Sequence, residues 1–590
     1  MENNTPYKFM DRNSNIIRKC DNYNETIKSF KYEIPEFFNI GQEVCDFYAN
    51  DPNKMNNIAI KHITDGNKTL IKEYTFKEIQ IRSNELANKF KEIGLKRKDR
   101  VGVFLTQSYE CAISHITILR SGMISLLLSV LFGPEALEYR ISASSASCVI
   151  TDLDNLQKLL KVVHKLPYLK KIIVFAENLD SINSNDINII ELWNDKISDK
   201  YLKEFEPIKT KSIDPAFLLY TSGTTGLPKG CLHAHKVLIG NLVGCQFTLN
   251  LLPHKRPLSD NCYYSPADWA WIGGLLVVFL PSLYYGIPLI AYKAKSFDAK
   301  KLLTLLKIHN VSISFLTPSS LKMMRYQKDQ LLDHKITMSA INSGGESLGE
   351  NLSKWSREQL GVEVAEFYGQ SEGNFVVGNC LDLFPQKNGS MGKPIPGSNV
   401  KIMDDNGNTL VCGIVGNLCV EYNGENPNQF LGYWNDSKAT EKKMIICKQS
   451  GTKWLKTGDL AKVDKDGYYW YISRDDDVIN SSGYRIGPNE IEYCLQKHPL
   501  ILNTGVIGIP DEIRGEVIKA YIVLNQSVTP SEEIKREIQS YVKTQLSAHQ
   551  YPREIEFIKN NEMPITTTGK IIRNSLRQLH KISSNNKSKL

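Results

Sequence analysis

Leu218-Leu219-Tyr220-Thr221-Ser222-Gly223-Thr224-Thr225-Gly226-Leu227-Pro228-Lys229-Gly230 joins an apolar strand to a loop carrying three glycines, four hydroxyls and one lysine. Glycine lets backbone N–H groups close around phosphate oxygens, and the hydroxyls and the Lys229 ammonium add donors and positive charge. The spacing departs from the P-loop, where the Gly-Lys pair is followed by a Ser or Thr that opens a helix. A plain Gly/Ser/Thr turn is the alternative reading. Such a turn rarely concentrates this many donors behind a buried strand, so the stretch reads as a phosphate-binding loop.

Around this loop, amphipathic helical stretches alternate with short apolar runs. Phe76–Ile93 and Ser319–Tyr326 read as helices, and Arg100–Leu105, Ile172–Phe175 and Val311–Leu316 as strands, the grammar of parallel α/β layers. Beyond Met391 the texture changes to Gly-punctuated β runs, with strands at Val400–Met403 and Gly416–Tyr422 flanking Asp404-Asp405-Asn406-Gly407. A charged turn, Arg474-Asp475-Asp476-Asp477, then opens a smaller α/β region. The expected organisation is a polar N-terminal arm over 1–45, a large domain over 46–473, a small domain over 474–578 and a polar basic tail over 579–590. At 590 residues the chain is long enough for several such units, and 42% hydrophobic content excludes a wholly disordered protein.

The formal net charge is +8, and six basic residues with no acidic ones lie between Lys570 and Leu590. The rest is nearly neutral, which argues against a nucleic-acid partner. Twelve scattered cysteines without a CxxC pair suggest a reduced compartment, not a zinc ribbon or a disulfide framework. No secretory signal is expected at the N-terminus. Trp269–Tyr292 is uncharged and long enough to span a membrane, but Pro281, Gly286 and Pro288 interrupt it, so a buried helix–turn–strand is expected.

Four more stretches carry chemistry. Asn342-Ser343-Gly344-Gly345-Glu346-Ser347 precedes Glu366-Phe367-Tyr368-Gly369-Gln370-Ser371-Glu372-Gly373, in which Tyr368 offers a flat ring for stacking and Glu372 a hard carboxylate for Mg²⁺. Gly344–Ser347 also mimics a phosphopantetheine attachment site. In Lys456-Thr457-Gly458-Asp459 the carboxylate has the paired acceptors that two ribose hydroxyls need, with an ordinary turn aspartate as the alternative. Ser473–Glu492 and Pro564-Ile565-Thr566-Thr567-Thr568-Gly569-Lys570 complete the set.

Taken in order, the five stretches resemble the adenylate-forming enzymes, the group of acyl-CoA synthetases, luciferases and peptide-synthetase adenylation domains, over about residues 35–578. The resemblance implies a large N-terminal domain of α/β layered subdomains plus a β-rich subdomain, with a small mobile α+β lid. It implies that Thr221, Ser222, Gly223, Thr224, Thr225, Gly226 and Lys229 grip ATP phosphates. Gly345, Glu346, Glu366, Phe367, Tyr368, Gly369, Gln370 and Ser371 would meet adenine and the α-phosphate, with Ser371 standing where threonine is usual. Glu372 would hold Mg²⁺, and Asp459 and Arg474 the ribose. Asp476 matches the hinge, Ser482, Gly483, Tyr484 and Arg485 the segment that approaches CoA and phosphates, and Lys570 the catalytic lysine of adenylation, alongside Thr221 and Glu372.

Within that group the sequence is similar to the medium-chain acyl-CoA synthetases. Ile509–Glu516 and Tyr551-Pro552-Arg553 resemble their CoA-binding segments, which implies that Arg514, Tyr551 and Arg553 meet the CoA nucleotide, since guanidinium forks suit phosphates. Ser265–Gly274 resembles the acyl-pocket segment, with Trp271 as a candidate wall and core packing as its alternative. Gly369 lies where acetate-specific relatives carry a tryptophan, which implies room for a short- to medium-chain fatty acid. The implied substrates are ATP, CoA and a small carboxylic acid. An oxygenase built on the same adenylation, or a non-catalytic nucleotide-binding protein, are the alternatives. Ser588-Lys589-Leu590 matches the peroxisomal address and implies an import receptor; a cytoplasmic enzyme is the other reading.

Overall fold

The structure, a computed structural model, describes residues 7–64, 70–177, 190–194, 204–221, 228–251, 261–292, 297–325, 336, 338–477, 479–481, 484–511, 515–526, 528–545, 550–566 and 570–587. Six parallel strands form the first sheet in the order Pro215–Thr221, Ile124–Leu127, Arg100–Phe104, Cys148–Asp152, Lys171–Phe175 and Ile190–Trp193. Their apolar residues are buried on both faces, as parallel strands require. Lys229–Ala234 turns back antiparallel on Pro215–Thr221 and carries Gly432–Tyr433 at its edge. The phosphate-loop candidate therefore joins two adjacent strands.

The second sheet runs Leu70–Thr75, Ile58–Thr64, Leu289–Tyr292 and, through single bridges at Tyr263, on to Ile313–Phe315, Ala340–Gly344, Val364–Gln370, Asn374–Gly378 and Lys393–Pro394. Between the sheets lie the helices Tyr109–Arg120 and Val237–Thr248 and the run Gly273–Tyr285. Trp269–Tyr292 is thus core, as its prolines and glycine predict: helix, a left-handed turn at Gly286, then a strand. Its first turns are π-helical, directly ahead of Pro281, which has no N–H to give to the helix ladder. No helix among the described residues is long and apolar enough to cross a membrane.

Local signals set several boundaries. Phe76–Glu92 opens on a capping box, in which Thr75 accepts from the N–H of Glu78 and the Glu78 carboxylate accepts from the N–H of Thr75. Residues 400–474 form an antiparallel sheet of five strands, with Tyr469–Arg474 lying against Lys453–Val463. The Asp475–Asp477 turn follows directly. The C-terminal part has its own sheet, in which Ile501–Asp511 and Gly515–Leu524 form the long central pair. The helices Pro488–Gln496 and Glu532–Gln545 close a separate core over it around Ile491, Leu495, Val506, Ile518, Ile538 and Val542.

The chain ends differ from a free arm and tail. Met10 and Ile17 are buried, and the Arg12 guanidinium lies between the rings of Phe47 and Tyr284, at 3.8 and 3.7 Å, while pairing with Glu43 at 3.0 Å. The division expected at residue 45 falls inside the helical run from Gln42 to Ala49. At the other end, Arg573–Lys587 is one helix that continues through residue 579, anchored by buried Leu576. Ser588-Lys589-Leu590 lies outside the described residues.

Candidate active site

The strand Val364–Gln370 brings Tyr368 to the β-rich sheet, where its hydroxyl donates to the carboxylate of Asp459. Asp459 sits opposite Arg474 in the antiparallel register, and Arg474 Nη1 stands 3.9 Å from Asp459 Oδ1. Burial pushes the Asp459 carboxyl up, and the positive charges of Arg474, Lys570 and Lys443 pull it back. Lys443 is a residue that the motifs did not reveal. Its ammonium donates to the Thr457 carbonyl at 3.0 Å, and a Cβ built on Gly458 would meet it at 3.3 Å and Arg474 Nη2 at 3.8 Å. Gly458-Asp459 is therefore a bulge inside the strand Lys453–Val463 whose carboxylate is ringed by cations.

Lys570 comes from the C-terminal part. A Cβ on Gly345 would stand 3.8 Å from Lys570 Cε, so the ammonium-bearing side chain lies over the Gly344-Gly345-Glu346 turn. Glu346 itself is occupied, accepting from Ser319 Oγ at 2.9 and 3.2 Å. The structure thus brings Lys570 to Gly345, 225 positions away, and Tyr368 and Arg474 to Asp459, 91 and 15 positions away.

Glu372 accepts the hydroxyl of Tyr433 at 2.5 Å, and the Lys229 ammonium lies 5.3 Å from the centroid of that same ring. Tyr433 was not singled out from the sequence, and nothing local to it betrays the pairing; Gly432–Tyr433 reaches the site by adding to the edge of Lys229–Ala234. The His233 Nε2–H donates to the Ser371 carbonyl at 2.7 Å, and burial lowers this imidazole to about 4, so it is a neutral strut. Thr221 faces Lys229 across the hairpin, with its hydroxyl 3.4 Å from the Lys229 carbonyl. Ser222, Gly223, Thr224, Thr225 and Gly226 lie outside the described residues. Gln370 Nε2 is a buried donor without a partner among the described residues, which suits a site that receives an oxygen-rich ligand.

Other expected residues stand differently. The Glu366 side chain points inward and accepts from the N–H of Leu348 at 3.3 Å, and burial raises its carboxyl to about 8. Its carbonyl is engaged as well, accepting from the N–H and Nδ2 of Asn379 at 3.0 and 2.8 Å. The Phe367 ring packs on Phe375 and Phe315, at 4.5 and 5.9 Å between centroids. Gly369 does not open a pocket in the way a missing side chain does. A Cβ there would lie 1.8 Å from the Asn374 carbonyl oxygen, because the strand bulges at Tyr368/Gly369 as it turns into Asn374–Gly378. Trp271 is half-buried, edge-on to Phe132 at 5.9 Å, while Trp269 is the fully buried partner, stacked on Phe279 at 4.4 Å.

In the C-terminal part, Asp476 belongs to the Asp475–Asp477 turn and Tyr484 and Arg485 to the strand Tyr484–Ile486, but their side chains lie outside the described residues, as do Ser482, Gly483 and Arg514. Arg553 Nη1 donates to the Tyr551 hydroxyl at 3.0 Å, and the described contacts of this pair stay within the C-terminal part.

The profile of the AMP-binding enzyme family matches residues 51–434, and that of the AMP-binding enzyme C-terminal domain matches residues 490–570. The chain belongs to the AMP-binding enzyme family. It is 32% identical to the mitochondrial acyl-coenzyme A synthetase ACSM3 of Mus musculus, over 97% of this chain and 95% of that one. It is 31% identical to the acetyl-coenzyme A synthetase of Bacillus subtilis, over 94% of each. Among solved structures, an anthranilate CoA ligase in complex with anthranoyl-AMP superposes with a TM-score of 0.79 at 26% identity, covering 94% of this chain and 99% of that one. The acyl-CoA synthetase of Brucella canis gives 0.69 at 27% identity, covering 96% and 100%. This AMP-binding enzyme is therefore a mixed α/β protein with the large N-terminal body and the C-terminal domain of that family.

Proposed function

We propose that this AMP-binding enzyme is an acyl-CoA synthetase that converts a short- to medium-chain carboxylic acid, ATP and CoA to acyl-CoA, AMP and pyrophosphate through an acyl-adenylate. The observation that carries this reading is the convergence of Lys570 on Gly345 and Asp459, beside the Tyr368–Asp459–Arg474 group. The names of its relatives, acyl- and acetyl-coenzyme A synthetases, support the same reaction class.

In the first step the acid's carboxylate attacks the α-phosphate. Asp459 accepts from the ribose hydroxyls, Tyr368 and Arg474 hold Asp459, and the Lys570 ammonium stabilises negative charge growing between carboxylate and phosphate. Thr221 and Lys229 hold the departing pyrophosphate. Glu372, a hard carboxylate beside the Lys229 hairpin, would hold a Mg²⁺ ion. Such an ion supplies charge neutralisation on the phosphates. In the second step the domain after Ser473 turns about Asp476 and removes Lys570. Gly483, Arg485, Arg514, Tyr551 and Arg553 then bring CoA, whose thiolate attacks the mixed anhydride and releases AMP.

Trp271, Phe132 and Phe367 are the candidate walls for the acyl chain. The C-terminal Ser588-Lys589-Leu590 supports a peroxisomal enzyme with an import receptor as partner, against a cytoplasmic one; its ACSM3 relatives are named mitochondrial. The test of the function is AMP, pyrophosphate and thioester production across straight-chain acids, with and without CoA. Thioester formed in equal amount to AMP is expected; AMP release that is indifferent to CoA and requires O₂ would make the protein an oxygenase, and no turnover a binding protein.

A further inference from the structure

Lys570 is not the only contact between the C-terminal domain and the Gly344–Glu350 segment of the body. The helix Pro488–Gln496 carries Tyr493, whose ring rests in a notch made by two missing side chains. A Cβ on Gly349 would stand 3.2 Å from Tyr493 Cε2, and one on Gly389 would stand 3.9 Å from its Cζ and hydroxyl. Both glycines have positive φ, +75° and +80°, so the notch is built into turns that favour glycine. The Tyr493 hydroxyl accepts the N–H of Glu350 at 3.3 Å, one of the first-turn amides that the helix Glu350–Gln359 leaves without an internal partner. Lys497, one turn on, lies 4.5 Å from the Tyr493 ring centroid and 3.9 Å from Glu350 Oε2.

The same helix is tied to the Lys570 segment from behind. Arg573 donates from Nη1 to Asp477 at 3.1 Å, from Nη2 to Glu492 at 2.6 Å and from Nε to the Val506 carbonyl at 3.1 Å. Glu492 precedes Tyr493, and Arg573 follows Lys570 by three positions, so these two segments move as one piece. A domain held only at Lys570 could pivot there. Held at Gly345 and at Gly349/Glu350 as well, it has one orientation.

We infer that Tyr493 is a positioning residue, a latch that holds the C-terminal domain in the pose where Lys570 faces Gly345. Resting on the proposed two-step reaction, the latch serves acyl-AMP formation and is released for thioester formation, since the notch is on the body and the tyrosine on the part that turns. A latch of this kind affects kcat of one half-reaction and leaves the KM for ATP nearly unchanged, because the described contacts of Tyr493, with Gly349, Glu350, Gly389 and Lys497, are with residues outside the proposed nucleotide site.

The test measures the half-reactions separately in the full-length protein: acid-dependent exchange of pyrophosphate into ATP, and CoA-dependent thioester formation from supplied acyl-AMP. Tyr493→Ala is expected to slow exchange about tenfold, the order of effect of removing one packed aromatic anchor from an interface. Thioester formation from acyl-AMP should stay within about twofold of wild type. Lys497→Glu, which sets a carboxylate against Glu350 without touching the core, should slow exchange in the same sense, and it serves if the alanine variant does not fold. Equal loss in both half-reactions, a raised KM for ATP in place of a lowered kcat, or unchanged exchange in both variants would overturn the latch while wild type remains active. A wild-type protein that forms no acyl-AMP from any acid would overturn the proposed function, and the latch with it.

Discussion

Replacing Glu366 with glutamine tests whether its carboxyl belongs to the core or to the nucleotide. The side chain is 5% exposed, its one described acceptor contact is with the N–H of Leu348 at 3.3 Å, and burial raises the carboxyl from 4.5 to about 8. Between those values the folded protein keeps a proton that the unfolded chain releases. Stability that Glu366 contributes below pH 4.5 is therefore lost as the pH rises towards 8. At 1.36 kcal/mol per tenfold in proton affinity the full displacement is worth at most about 5 kcal/mol, and relaxation of the site brings the expected figure nearer ~2 kcal/mol. Glutamine keeps the acceptor for Leu348 and has no proton to lose. Denaturant midpoints of the two proteins at pH 5, 6, 7 and 8 should therefore diverge steadily in favour of Glu366→Gln and run parallel above pH 8. A gap that stays constant across this range, or a glutamine variant that is the less stable at pH 8, would mean that the folded protein does not hold the Glu366 proton.

Two further substitutions probe the site. Tyr433→Phe removes the hydroxyl that buried Glu372 accepts at 2.5 Å and leaves the ring beneath Lys229; a hydrogen bond to a charged group is worth roughly 1.5–3 kcal/mol, so kcat/KM for ATP should fall by at least about tenfold, Mn²⁺ titration should show weaker binding, and the unfolding free energy should fall by an amount of the same order. Gly369→Trp is expected to destabilise the body and depress activity towards every acid without narrowing chain-length preference, because even the Cβ meets the Asn374 carbonyl; Gly369→Ala should already cost ~3 kcal/mol in denaturant unfolding.

Much of this molecule is legible in its sequence because its site is built from short motifs at strand ends. Tyr368, Asp459 and Arg474 each sit in a local pattern, and the turn or strand that the pattern predicts delivers them to one place. Alternating apolar runs likewise predict the parallel sheet to within a residue or two at Arg100–Phe104 and Lys171–Phe175. Most of the misses are non-local. The Tyr433–Glu372 pair spans 61 positions and depends on one edge strand adding to another. Lys443 reaches Thr457 through the antiparallel pairing of Met444–Ile446 with Lys453–Val463. Most charges of the first 45 residues are exposed, but one pair is packed in: Arg12 lies between the rings of Phe47 and Tyr284 and binds buried Glu43, a pairing that composition alone reads as solvated. Gly369 suggested space because a missing side chain was read without its direction; the backbone bulge fills that direction with a carbonyl.

Lys570 is proposed to serve one half of a two-step reaction. Its most direct test is Lys570→Ala, assayed for acyl-AMP formation from acid and ATP and, separately, for thioester formation from supplied acyl-AMP and CoA. The placement of Lys570 over Gly345 and near Asp459 predicts loss of the first activity by about a thousandfold with the second retained. Equal loss of both, or retention of the first, would contradict it.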